Sequence, residues 1–375
     1  MKRHRAAAGS LAAILFLAAA ASAQQGERRG GRDRFGFFDR GNDYDVTVLV
    51  SNQQGGAPLV DPLLVNAWGI AASATSPWWV ADNGTASSTL YTGAGAKVPL
   101  EVGVSGAPTG IVFNTSATFA LAAGAPARFL FVSEDGTFSG WNPDVNPNAL
   151  VVFSDPGSVY KGLAIHGDTL YTTDFTDCEV EAFRGNFFDD SFAPVETEGG
   201  FEDRSIPKGY CPFGIQAVGD SIFVTYAKAD GAEDVPGIGR GFVREFDADG
   251  RLVARVGSRG LLNAPWGVAL APDDFGRFGG CLLVGNFGDG RINAFCRKHR
   301  DGHGHEGDDD EKKNGKWRFA GRLRSDHRPL TIDGLWGIGF GNGAASGQTN
   351  VLYFAAGPDE ESNGAFGKIE VEERK

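Results

Sequence analysis

The sequence has one methionine, at its first position, four cysteines and six histidines. This scarcity narrows the chemistry. No H-E-x-x-H pair occurs, and the three scattered histidines of a zinc lyase site are missing. No C-x-x-C occurs, which removes the usual redox pair. The nearest match to a G-x-S-x-G nucleophile elbow, GVSGA at 103–107, lacks the final glycine. Beyond residue 23 no apolar run is long enough to span a bilayer, so no membrane insertion is expected.

What is abundant is glycine, 55 of 375 residues, with 28 Phe. Many turns joined to aromatic-rich segments favour packed strands over helix bundles. Residues 1–23 read as a signal peptide: a basic MKRHR, an apolar LAAILFLAAA, and an A-x-A site at Ala21-Ser22-Ala23. Residues 24–43 are polar, Gly-rich and Arg-rich and read as a flexible linker. An exported, soluble protein is expected, periplasmic or extracellular. Residues 1–43 carry eight Lys/Arg against four Asp/Glu, a net of +4, so the remainder carries −12 − 4 = −16. Such a body repels nucleic acid, which is excluded as a partner.

A repeat organises residues 44–371. Trp68-Gly69-Ile70 recurs as TGIVF at Thr109, KGLAI at Lys161, FGIQA at Phe213, WGVAL at Trp266 and WGIGF at Trp336. Each copy is followed by a second apolar strand and then a third. WWVADNG and STLYTG follow the first copy; RFLFVSEDG and TFSGWN follow the second. Several copies show a fourth, and turn residues separate them. Six four-stranded units predict an all-β fold, a six-bladed β-propeller, in which radial repetition protects sheet edges. The last unit has three strands, and YDVTVLVS at 44–51 is an orphan strand. Its addition to the last blade would close the ring. A weakly marked outer strand near 192–198 leaves five or seven blades open.

The motifs NAWGIA, WWVADNGT, APTGIVFN, APWGVALAP and DGLWGIGFGN resemble those of a family of exported bacterial β-propeller proteins of unknown function. The chain is more distantly similar to NHL-repeat propellers. The resemblance covers most of 44–371 and implies the fold and export. It brings no catalytic residues. The four cysteines and a charged insert depart from the pattern.

In a propeller the innermost strands line the central channel, and their starts share one face with the ends of the second strands. That face, the mouth, is expected to carry Trp68, Thr109, Lys161, Phe213, Trp266 and Trp336 together with Asp82, Glu134, Asp135, Asp174 and Asn286. Carboxylates there would suit a divalent metal such as Ca²⁺, or a cationic ligand. Rings would suit stacking or cation–π contacts. The bland account is that rings fill blade junctions and acids cap turns. Gluconolactonase-like propellers place a metal-binding Asn just before the Gly of an innermost strand. Here that position is Trp, Thr, Lys, Phe, Trp and Trp, which disfavours that chemistry.

Two histidines lie in the body. His166 follows an innermost strand, and His327, beside Asp326, is expected on the mouth side as a candidate general base. The segment 297–316, RKHRDGHGHEGDDDEKKNGK, interrupts a hairpin. Its His299, His303 and His305 could bind a transition metal, although the segment reads more simply as a solvated loop. Four cysteines in an exported chain suggest two disulfides or buried free thiols. Cys281 and Cys296 face each other across a hairpin with a Gly-Asp turn. Cys178 and Cys211 should meet between neighbouring blades on the mouth face.

The expected function is a binding scaffold that holds a small ligand, glycan or exported protein at the mouth. The alternative is a metal-assisted hydrolase or lyase acting at the same place.

Overall fold

Alternation along the strands explains the ring. In the strand Phe129–Ser133, Phe129 and Phe131 pack toward blade 1, and Leu130 and Val132 toward blade 3. Each blade is thus apolar on both faces and must lie between two others. The computed structural model describes residues 43–297 and 315–372. The expected signal peptide, nearly all of the linker, and His299, His303 and His305 lie outside the described residues.

Six antiparallel sheets form the ring. Their innermost strands are Ala67–Ala71, Pro108–Phe113, Tyr160–His166, Tyr210–Val218, Pro265–Leu270 and Leu335–Phe340. Each contacts the next, and the sixth contacts the first. The orphan strand Tyr44–Ser51 pairs antiparallel with Ala365–Val371, as expected, so both ends of the ring share blade 6. A short parallel strand, Leu59–Val60, adds outside it. The outer strand of blade 3 is only Ala193–Pro194, which is why its sequence signal is weak. The helical segments among the described residues are four 3₁₀ turns. No helix among them is long and apolar enough to cross a membrane.

Six apolar clusters fill the six junctions between blades, and a seventh occupies the centre. The repeated glycines set how close the blades come at the axis. A Cβ on Gly69 would meet the carbonyl of Thr109 at 2.6 Å, one on Gly214 that of Trp266 at 2.1 Å, and one on Gly337 that of Trp68 at 2.6 Å. No side chain fits there, so the innermost strands approach backbone to backbone.

Both expected disulfides are present. Cys281–Cys296 is a cross-strand link within blade 5, and Cys178–Cys211 joins blades 3 and 4.

Candidate functional site

That close approach decides what happens to the central rings. Trp68 stacks on Trp336 at 3.5 Å between centroids, and Phe287 stacks on Trp336 at 4.0 Å. Trp266 meets both tryptophans edge-on, at 6.0 and 5.8 Å, and Phe213 packs on Trp336 at 5.8 Å. Trp68, Phe213 and Trp336 are at most 2% exposed, and Trp266 is 9% exposed. Of the two accounts weighed from sequence, ligand stacking and ring packing, the rings follow packing: they close on one another and plug the channel. With the backbones this near the axis, the rings exclude water most completely by meeting in the middle.

A polar belt lies on this plug, with side chains from blades 1, 2, 3, 4 and 6. The Trp336 indole N–H donates to Asn66 Oδ1 at 3.3 Å. Asn66 Nδ2 in turn donates to Glu361 Oε2 at 2.6 Å and to Asn83 Oδ1 at 3.1 Å. Asn83 Nδ2 donates to Glu134 Oε2 at 2.9 Å, and the other oxygen of Glu134 is ion-paired with Lys161. The Lys161 ammonium is 5.4 Å from the Trp68 ring, and its backbone carbonyl accepts from the Trp266 indole at 2.8 Å. Blade 4 adds Asp234, carried over the mouth by a hairpin that extends the strand Ser221–Asp230.

Charge in the belt is unbalanced: three carboxylates, Glu134, Asp234 and Glu361, surround one ammonium. Burial pushes the Asp234 carboxyl up to about 7; Lys161 opposes the rise, and Glu361 and Glu233 add to it. Burial also raises Glu361, against the pull of its Asn66 hydrogen bond. The backbone here is strained. Asn66 has φ 47°, and Asp359, Glu360 and Glu361 are three successive left-handed residues at φ 57°, 54° and 64°. Glu360 and Glu361 cost roughly 1–2 kcal/mol each in this conformation, and Asn66 and Asp359 less; such strain collects at functional sites.

The other expected mouth residues are placed differently. Thr109 is fully buried and donates to the Tyr160 carbonyl at 2.7 Å. Asp82, Asp174 and Asn286 occupy matching second-strand ends of blades 1, 3 and 5, and all are 0% exposed. Asp82 accepts from the Thr89 N–H at 2.8 Å, and Asp174 from those of Thr176 and Asp177 at 2.9 and 3.1 Å. Asn286 donates to the Leu261 carbonyl and to Asp289, both at 2.9 Å. These three hold turns inside separate blades and do not line an opening. Asp135 accepts from Thr137 Oγ at 2.6 Å. Of the expected acids, Glu134 joins the belt. Among the described residues no three His, Cys, Asp or Glu side chains come together as a metal-holding group.

His327 is not at the mouth. The hairpin Arg324–Pro329 carries it to the outer edge of blade 6, where its Nδ1 lies 2.8 Å from Asp43. The connection doubles back instead of running straight between blades. His166 ends its innermost strand on the opposite face, as expected.

Four belt residues were missed by sequence reasoning. Asn66 and Asn83 stand inside the quoted motifs NAWG and ADNG, beside the Trp and Asp that drew attention. Asp234 lies in a two-residue strand and Glu361 in a loop, neither with periodicity.

Fold and site together define a six-bladed β-propeller whose channel is plugged by aromatic rings and capped by a charged belt. No family model matches the chain. Two uncharacterized proteins of Acanthamoeba polyphaga mimivirus are each 34% identical to it, over 347 and 349 residues. The matches cover 87% of this chain and 80% and 85% of theirs. The chain belongs to the family of these proteins. These relatives are viral, whereas the motifs had suggested a bacterial family. Among solved structures, a streptogramin B lyase and the virginiamycin B lyase of Staphylococcus aureus each match with TM-score 0.49 and 12% identity. They cover 88% of this chain and 98% and 100% of theirs. Nothing about activity follows from a likeness at that level.

Proposed function

We propose that the protein is a binding module whose mouth receives a ligand carrying a positively charged group. The supporting observation is the surplus of carboxylates in the belt. Glu134, Glu361 and Asp234 share one ammonium, and the strained turn 359–361 presents Glu361. A ligand cation would balance the surplus and displace the protons that burial favours on Asp234 and Glu361. A small amine, an amino sugar and a basic segment of an exported protein all carry such a group. The two disulfides support a site of action outside the cytoplasm, in the periplasm or beyond the cell.

Calorimetric titration with putrescine and spermidine tests the proposal. Saturable binding is expected, weakened about tenfold when Asp234→Asn and Glu361→Gln are combined. No saturable heat with either amine at neutral pH and low salt would overturn it.

A further inference from the structure

Blade 4 brings a different charge to the same face. Its innermost strand starts at Tyr210, and Lys228 stands opposite Tyr210 on the second strand. The Lys228 ammonium is 5.6 Å from the centre of the Tyr210 ring. Just beyond the outer strand, the Arg259 guanidinium is 5.8 Å from that ring and 5.6 Å from Phe242. The two rings meet edge-to-face at 4.9 Å. One aromatic pair therefore supports two cations of different strands.

Neither cation has a carboxylate partner among the described residues. Lys97, Lys161, Arg244, Arg255 and Arg297 are ion-paired, whereas Lys228 and Arg259, like Arg277 over Phe278, rest on rings instead. Acids outnumber bases 47 to 35, so partners are not scarce. Asp230 and Glu233, at the tip of the hairpin that continues the Lys228 strand, pair with neither cation. Arg259 also holds a left-handed backbone, φ 56°, fixed by its N–H to the Gly241 carbonyl at 2.8 Å. Glycine would adopt that conformation freely. Arginine there costs about 1–2 kcal/mol and gains its place over the two rings.

We propose that Lys228 and Arg259, on the Tyr210–Phe242 platform, form an anion subsite for a sulfate or carboxylate group. A ring face attracts an exposed cation by about 0.5–1 kcal/mol, which holds the pair in place without neutralising it. An oxyanion supplies the negative partner that both cations lack, and the guanidinium fork matches its geometry. The acidic belt and this edge then make the mouth two-signed, suited to a ligand with both charges. The subsite does not depend on the cation reading above.

The test uses the full mature chain at low ionic strength, titrated with inorganic sulfate and with a sulfated tetrasaccharide. Both should bind, and a much tighter tetrasaccharide would assign the group to an acidic saccharide rather than a free ion. Lys228→Gln with Arg259→Gln should weaken the tetrasaccharide at least about tenfold. Putrescine binding and the melting temperature should be unchanged. Arg318→Gln with Arg328→Gln removes the same charge elsewhere and should change affinity by less than about twofold. The subsite is refuted by no saturable binding of either anion to the unmodified chain. Equal loss in the two double variants refutes it as well, since general charge would then suffice.

Discussion

Between blades 2 and 3, Asp174, Glu179 and Glu181 stand on one face of blade 3 with no ion pair among the described residues. Between blades 3 and 4, by contrast, Asp203 is gripped by Arg244 at 2.5 Å and by both arms of Arg255 at 2.9 Å. Burial, opposed by the nearby Tyr160 hydroxyl and reinforced by Asp174, Glu179 and Asp155, pushes the Glu181 carboxyl up to about 7. The Arg255 hydrogen bonds hold Asp203 well below the usual carboxylate range, against burial. The second joint also carries the Cys178–Cys211 link. Similar sheets thus meet by opposite electrostatic means. Propeller joints take their stability from apolar filling, and the polar residues above that filling are free to differ.

Breaking the clamped joint should have the largest effect. Asp203→Ala leaves Arg244, 1% exposed, as an uncompensated buried charge. Its carbonyl partners, Val243 at 2.9 Å and Gly257 at 2.7 Å, cannot neutralise it. A loss of about 3–5 kcal/mol is expected in denaturant unfolding. Adding Arg244→Met to Asp203→Ala should restore part of it. If the double variant is as unstable as the single, the charge is not the cause, and the comparison of the joints fails.

Much of the architecture is legible in the sequence. The six-fold Gly pattern, the orphan strand closing blade 6, and the face-to-face positions of Cys281 and Cys296 all follow from periodicity and turn chemistry. The fate of the central rings did not. A ring that starts an innermost strand can point outward or toward the axis, depending on how nearly the strands meet. The glycines were visible in sequence, but the distance they permit was not. Asp82, Asp174 and Asn286 were found as second-strand ends, yet burial made them turn anchors. Asp234 sits in a two-residue strand and Glu361 in a loop, both too short to carry a periodic signal, and His327 was misplaced because its hairpin folds back on the rim.

The unpaired joint should show itself in pH. Glu181 has a folded value of about 7 against 4.5 for a free glutamate, so the folded state holds its proton through that interval. Its contribution to stability is present at low pH and is lost as pH rises from about 4.5 through 7. Asp203 acts oppositely: its contribution holds above 3.8 and is lost on further acidification. Glu181→Gln should therefore remove a decline on the order of 1–2 kcal/mol between pH 5 and 8, after solvent screening. Melting curves across that range check it. An unchanged slope would mean that Glu181 is ordinary and that its joint is not electrostatically loaded.

The smallest effect sharpens the comparison most. Tyr160 is fully buried, and its hydroxyl lies near Glu181 and Ser158 without reaching hydrogen-bond geometry with either. A buried hydroxyl without a partner gives nothing to the folded state and loses its water on folding. Tyr160→Phe keeps the ring against Phe138, 5.2 Å away, and removes only that oxygen. Stability should change by less than about 0.5 kcal/mol, or rise. A loss above about 1 kcal/mol would show that the hydroxyl donates to Glu181 in solution. The joint between blades 2 and 3 would then hold its carboxylate by a tyrosine, where its neighbour uses two arginines. The two joints would differ in the strength of their partners and not in whether they have any.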